Sequence, residues 1–418
     1  MTNPQALVRR LGTFDAVLIG IGSMIGAGVF AAFTPAASAA GSGLLIGLVL
    51  AAAVAFCNAT SSAQLAAVYP TSGGTYVYGR ERLGPWYGYV AGWGFIIGKT
   101  ASAAAMAMTF AEYAAPAGWE RPVAIAAVVI LAVVNYHGVT RTAGLTRILV
   151  LAVLAALAVA IAASWGAGAP APKNILGDGP LAHGWYGILQ SAGLLFFAFA
   201  GYARIATMGE EVLHPLRTIP RAITLALGIT IIIYGAVAVT ILAALGPGGV
   251  AATPTPLAFA AGNGGPAWTV PVVHAGAAIA ALGALLALIA GLGRTSLAMA
   301  RHNDLPHWLA AVHPRYRVPH RAEIVLATII CVVIAVADVR GAIGFSSFGV
   351  LIYYLVANVA AFTQPPEHRR YPRALQVGGA AACAVLVATL PPLSAGIGVI
   401  MFAVGIIIRL VRIHRTGR

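Results

Sequence analysis

Apolar residues fall in long runs at 14–33, 43–68, 86–114, 122–138, 143–166, 186–208, 221–245, 270–300, 322–338, 343–363, 374–391 and 394–411, separated by short polar stretches. A membrane-crossing helix needs about 20 mostly apolar residues, so the pattern predicts twelve spans with short connections. The fold class it implies is an all-α integral membrane protein with no room for a separate soluble domain. Between the second and third spans, Thr71-Ser72-Gly73-Gly74 signals a turn. Tyr76 to Leu83 then reads as a short interfacial helix with aromatic anchors. The Gly/Pro-rich segments 166–183 and 246–269 read as external loops, and Pro254 to Ala258 as the start of a short helix over the external entrance.

Composition agrees: 60% of the 418 residues are hydrophobic and 9% charged, outside the range of soluble globular chains. The net charge of +14 could suggest a nucleic-acid partner, but its placement points elsewhere. With the N-terminus cytoplasmic, twenty of the 25 Lys and Arg residues fall on the cytoplasmic side, and only Arg121, Lys173 and Arg340 on the other. Such a bias orients a membrane protein, with both termini inside, and no nucleic acid is needed to explain it. The remaining two, Lys99 and Arg204, lie within spans. Cys57, Cys331 and Cys383 all sit in apolar spans and read as small buried hydrophobes. Four histidines between residues 302 and 320 are interrupted by prolines and accompanied by no Cys, so no metal site is expected, nor any cofactor.

Inside the first span, Gly20-Ile21-Gly22-Ser23-Met24-Ile25-Gly26-Ala27-Gly28-Val29-Phe30 carries four glycines in nine positions. Each costs a helix roughly 1 kcal/mol relative to Ala. In hydrocarbon a helix can break only where the break is buried or lines a cavity. Two readings stand: a break whose free amides suit a carboxylate, or a small-residue face for close helix packing. The sixth span brings Phe196-Phe197-Ala198-Phe199-Ala200-Gly201, aromatic bulk before a glycine, which suits a pocket wall beside a second break or a packed core stripe.

Lys99 lies about 13 residues into the third span, roughly 20 Å along a helix and so near mid-membrane. Unlike Arg, Lys can lose its proton when desolvated. It reads as a proton-coupling or ion-substituting ammonium, or as a structural Lys bonded to backbone carbonyls. Arg204 is close enough to the inner end of its span to snorkel, or to serve a gate with Glu210 and Glu211. Glu112 reads as a solvated rim charge. Enzyme motifs fail: Gly98-Lys99-Thr100 lacks the phosphate-loop glycine, because Trp93 stands at that position, and no HExxH or GxSxG is present.

Several of these stretches, in this order, resemble the amino acid–polyamine–organocation superfamily of secondary transporters. Gly22 to Phe30 looks like its first-helix motif and Phe196 to Gly201 like its sixth. Glu210 to Pro215, Thr218 to Arg221 and Ala298 to Pro306 resemble segments that follow. The resemblance implies a leucine-transporter-type fold, with an inverted 5+5 repeat over about 14–166 and 186–363 and two peripheral helices at about 374–411. It also implies a central site between broken first and sixth helices. Carried over by position, Ser23, Met24, Ile25, Gly26, Ala27 and Gly28 would offer amides to a substrate carboxylate. Phe197, Ala198, Phe199, Ala200 and Gly201 would offer carbonyls to its amino group, with Phe197 or Phe199 as the covering aromatic. Where many relatives have an acidic residue after the sixth-helix motif, this chain has Ala203-Arg204, and its fifth span has no Lys. Lys99 therefore enters on the residue argument alone. The expected function is secondary transport of amino acids, neutral ones foremost, across the bacterial cytoplasmic membrane by alternating access, by proton coupling or exchange. The competing expectations are a polyamine or cationic amino acid carrier and a non-transporting membrane subunit. Expected partners are the small-molecule substrate and membrane lipid.

Overall fold

The computed structural model describes residues 11–26, 28–69, 73–138, 143–166, 171–177, 179–206, 208 and 212–416. Each predicted span appears in it as a helix. We label them α1 (Thr13–Ile25), α2 (Leu44–Val68), α3 (Pro85–Ala114), α4 (Glu120–Tyr136), α5 (Ala143–Ser164) and α6 (Gly184–Phe199). There follow α7 (Pro215–Ala252), α8 (Thr269–Arg301), α9 (His320–Val336), α10 (Val339–Phe362), α11 (Arg373–Thr389) and α12 (Pro392–Thr416). Nine helical segments among the described residues are long and apolar enough to cross a bilayer. The other three predicted spans, α4, α9 and α11, are 17-residue helices, at the short end of what can cross.

Local chemistry sets several boundaries. Pro85 and Pro215 open α3 and α7 at the position where a missing N–H costs nothing. Asp338 caps α10 by accepting from the Gly341 amide at 2.9 Å. Inside α7, Gly246 adopts φ 67°, ψ 169°, so the span proper ends there and a further turn starts at Pro247. The segment after Thr255 is helical over Pro256–Gly264, as the sequence suggested.

The helix pairings recur with an offset of five. α1 packs on α7 as α6 packs on α2, and α5 on α8 as α10 on α3. α1 meets α5 as α6 meets α10, and α3 meets α4 as α8 meets α9. α12 is an outer helix, whereas α11 also reaches α2, α6 and α10. Large apolar side chains such as Ile130, Ile148, Ile232, Val332 and Ile400 are exposed on the outer faces, where lipid would cover them.

The connecting helix Thr75–Leu83 departs from expectation: Tyr76 and Tyr78 are buried in protein rather than anchored in the interface. The Tyr76 hydroxyl donates to Asp304 at 2.7 Å, and Asp304 also receives Arg80 at 3.3 Å and Arg409 of α12 at 2.8 Å. Burial first, and the Asp304 carboxylate next, push the Tyr76 phenol above its ordinary value, so it remains a donor at neutral pH. The Arg409 guanidinium also lies 4.6 Å from the Trp86 ring and 4.5 Å from that of Tyr89. This hub fastens α12 and the connecting helix to the end of α8. Of the cysteines, only Cys383 is fully buried, and Cys57 and Cys331 are half-buried.

Candidate functional site

α1 stops at Ile25. Gly26 turns the chain to φ −25°, ψ −131°, and helix resumes at Gly28. Ala32 donates to Gly28 and Ala36 to Ala32, so the second half runs on through a bend to Ala40. The sixth span behaves differently. After Phe199 it tightens to the 3-10 turn Ala200–Tyr202 and returns to α-helix at Ala203–Ala206.

The two interruptions touch through their backbones. A Cβ on Gly28 would lie 2.7 Å from the Ala198 Cα, and one on Gly201 would fall on the Ser23 carbonyl. No side chain fits between the chains at either point, and glycine permits the approach. Ser23 and Gly201 keep partial exposure, whereas Met24, Ile25, Gly26, Gly28 and Phe196 to Ala200 are buried. Ser23 turns its hydroxyl back to the Ile19 carbonyl at 2.8 Å. Ala27, Glu210 and Glu211 lie outside the described residues. Arg204 is half-buried in the short helix past the 3-10 turn.

Freed carbonyls at the junction are held by side chains from three other helices. Tyr234 of α7 places its hydroxyl 2.6 Å from the Met24 carbonyl and 3.0 Å from that of Ala198, so one phenol bridges both interruptions. Lys99 of α3, 7% exposed, donates to the Ala200 carbonyl at 3.3 Å. A cation there lies at the carboxyl end of α6, where the helix dipole favours it. Among the described residues no carboxylate pairs with Lys99. Tyr354 of α10 reaches the same carbonyl at 3.5 Å. Phe199 packs on Tyr234, with ring centroids 5.0 Å apart, and Phe196 lies edge-on to Tyr354 at 5.8 Å. Phe197 is nearly buried as well. On the far side, Phe30 packs edge-on against Tyr113, whose carbonyl is 2.6 Å from His274 Nδ1.

The sequence reasoning thus chose stretches that come together, but it missed the tyrosines. Their signal was present: a tyrosine at the centre of an apolar span must find an acceptor for its hydroxyl. Tyr234 follows Ile231-Ile232-Ile233, and Tyr353-Tyr354 sit mid-span.

Comparison with known proteins agrees with this architecture. A profile described as amino acid permease matches residues 11–413. An uncharacterized transporter of Mycobacterium tuberculosis (strain ATCC 25618 / H37Rv) is 57% identical over 403 residues, covering 96% of this chain and 91% of its own length. The branched-chain amino acid permease BcaP of Bacillus subtilis (strain 168) is 26% identical over 400 residues, covering 90% and 85%. The methylthioribose transporter of the same organism is 28% identical over 387 residues, covering 86% and 80%. With nine helices among the described residues long and apolar enough to cross a bilayer, two interrupted helices in backbone contact and a match along nearly its whole length, the chain belongs to the amino acid permease family of the amino acid–polyamine–organocation superfamily, multi-pass membrane proteins that act as transporters.

Proposed function

We propose that the protein is a secondary active transporter of neutral amino acids, working by alternating access in the bacterial cytoplasmic membrane with both termini inside. The observation that carries this reading is the backbone contact of the two interruptions, at Gly28 with Ala198 and at Gly201 with Ser23, in a site described without carboxylates. The helix that restarts at Gly28 would direct free amides and its positive end at a substrate carboxylate, from Ser23 through Gly28. The carbonyls from Phe197 to Gly201 would take the ammonium. A carbonyl has two lone pairs, so that of Ala198, bound by Tyr234, would keep one for the ligand, whereas that of Ala200 is shared by Lys99 and Tyr354. Phe197 or Phe199 would cover it.

Lys99 supplies the coupling. Its bond to the Ala200 carbonyl is charge-assisted only while the ammonium keeps its proton, so proton loss loosens the sixth-helix turn. The repeats over about 14–166 and 186–363 would move against each other around the fixed contact, with 374–411 outside them. Partial exposure at Ser23 and Gly201, against burial beyond them, fits a carrier open toward the N-terminal side of α1. Arg204, with Glu210 and Glu211, would line that inner side. The relative named for branched-chain amino acids favours a neutral substrate, and the one named for methylthioribose marks how far the family's cargo ranges.

The test is uptake by the purified protein in liposomes under an imposed pH gradient, with labelled leucine competed by a panel of neutral and cationic amino acids, polyamines and methylthioribose. Competition by neutral amino acids foremost is expected. Dominant competition by polyamines or methylthioribose would replace the substrate assignment, and absence of any gradient-driven uptake would remove the coupling.

A further inference from the structure

α2, α10 and α11 enclose a buried polar seam that leads from the carbonyl held by Lys99 to the α10–α11 loop. At its deep end, Tyr354 shares the Ala200 carbonyl with Lys99, and the Tyr202 ring lies 5.1 Å from that of Tyr354. One turn along α10, Asn358 donates to the Tyr354 carbonyl at 2.9 Å and to Asn58 Oδ1 of α2 at 2.6 Å. Ser61 of α2 donates to Asn358 Oδ1 at 2.7 Å. The third wall is α11: Cys383 Sγ is 3.4 Å from Asn58 Oδ1, and a Cβ on Gly379 would sit 2.6 Å from Asn358 Oδ1. At the loop end, Gln64 donates to Gln364 at 2.6 Å and accepts the backbone amides of Arg370 and Tyr371 at 2.9 and 3.2 Å.

Direct contacts leave much of this polarity unanswered. Asn58 Nδ2, Ser62 Oγ, Gln364 Nε2 and both polar side-chain atoms of Gln376 are buried without a hydrogen-bond partner, and these four residues are at most 2% exposed. Gln376 lies three and seven residues before Gly379 and Cys383, on the same face of α11. Polar atoms inside a helical bundle are tolerated when water reaches them, and a water needs two to four such partners. Of the unanswered groups, Gln364 and Gln376 flank the α10–α11 loop, and Ser62 and Asn58 lie one turn apart on α2, the latter beside Asn358.

We propose that this seam is hydrated and conducts protons between the α10–α11 loop and Lys99. The proposal rests on the reading of Lys99 as the coupling group. The Lys99 ammonium passes a proton to a seam water, leaving a neutral amine and a hydronium. The excess proton then moves from water to water past the hydroxyls of Tyr354, Ser61 and Ser62 and leaves as hydronium beside Arg370 and Tyr371. The amides solvate it and do not themselves titrate. The titratable groups around this route are Tyr202, Tyr353 and Tyr354, Cys383 with Cys57 next to it, and, at the mouth, Arg82, which bonds the Thr363 carbonyl, with Glu367, His368, Arg369, Arg370, Tyr371 and Arg373 of the loop and the start of α11. In this reading α11 is a wall of the proton route, and Lys99 exchanges protons with one face of the membrane.

A purely structural seam, clipping α11 to α2, predicts something else for Gln376→Leu. That change removes no hydrogen bond to protein, so it would leave transport intact. The experiment compares wild type, Lys99→Ala, Gln376→Leu and Ser62→Ala in proteoliposomes, measuring pH-gradient-driven uptake of labelled leucine and, separately, substrate exchange. Gln376→Leu is expected to lower gradient-driven uptake about tenfold with exchange within about twofold, and Ser62→Ala to act in the same direction more weakly. Full gradient-driven uptake in both variants, with Lys99→Ala still losing it, overturns the conduit and leaves the coupling role standing. Unchanged pH dependence in Lys99→Ala removes the coupling role, and the conduit with it. A substrate-independent arm uses X-ray radiolysis, which oxidises side chains next to bound water. Tyr354 should oxidise several-fold faster than the equally buried Tyr78, and more slowly in Gln376→Leu. Equal protection of the two tyrosines in the wild-type protein overturns the hydration.

Discussion

α1 ends outright at Ile25 and restarts at Gly28, whereas the sixth span only tightens, from Phe199 through Ala200–Tyr202 and back to α-helix at Ala203. The glycine content explains the contrast. Four glycines in nine residues remove most of the resistance to unwinding around Gly26, while Gly201 alone, flanked by aromatic and alanine residues, permits a change of helical pitch. An interruption exposes donors and acceptors together. A 3-10 turn keeps its amides engaged and turns carbonyls outward. In the proposed function the first break would be the anion-facing half of the junction and the sixth-span turn the cation-facing half, where Lys99 bonds the Ala200 carbonyl and Tyr234 that of Ala198.

The largest effect should come from closing the contact itself. Gly201→Ala puts a methyl on the Ser23 carbonyl, so the two chains must separate; overpacking of this kind costs about 1–3 kcal/mol. Loss of detectable uptake and a lower unfolding temperature are expected, and normal uptake would show that the contact is dispensable. Gly26→Leu works on the other half. A Cβ there would lie 2.6 Å from Ala284 of α8, so the larger side chain should block substrate binding, which a well-folded variant of wild-type affinity would refute.

Next in size is the loss of Lys99. Lys99→Ala should abolish pH-gradient-driven uptake while sparing exchange, because the Ala200 carbonyl loses its titratable partner. Uptake that still follows the gradient would take Lys99 out of the mechanism. A smaller effect is expected from Tyr234→Phe, which leaves the Met24 and Ala198 carbonyls without their shared donor. The penalty for stranding buried acceptors is about 1–3 kcal/mol, to be read as about five- to 150-fold weaker binding by titration of the purified protein. An affinity unchanged within twofold would mean that other groups hold the two halves together.

Much of this contrast was legible in the sequence. All twelve predicted runs are helices, nine of them long and apolar enough to cross a bilayer, and the glycine cluster at Gly20 to Gly28 marked the helix that breaks. Lys99 stood out as a lone mid-span ammonium, and the structure places it on the sixth-span turn. What was not legible depends on which helices become neighbours. Tyr234 bridges two breaks that are 174 residues apart from Met24 to Ala198, and nothing local to Tyr234 announces its partners. The same holds for Asn58, Asn358 and Cys383, which look unremarkable in their own spans and meet only because α11 inserts beside α2 and α10. The tyrosines of Thr75–Leu83 were misplaced for a related reason. An aromatic next to arginines resembles a membrane anchor, but Asp304, more than 200 residues away, draws Tyr76 inward.

The central claim is that the junction grips the backbone of a zwitterion by both ends. Its most direct test is equilibrium binding to the purified protein of the best-bound neutral amino acid, beside the matching amine without the carboxylate and the matching acid without the amine. For leucine these are isopentylamine and 4-methylpentanoate. The account predicts that each analogue binds at least about tenfold more weakly than the amino acid, since each leaves one half of the junction unanswered. Either analogue binding as tightly as the amino acid would contradict it.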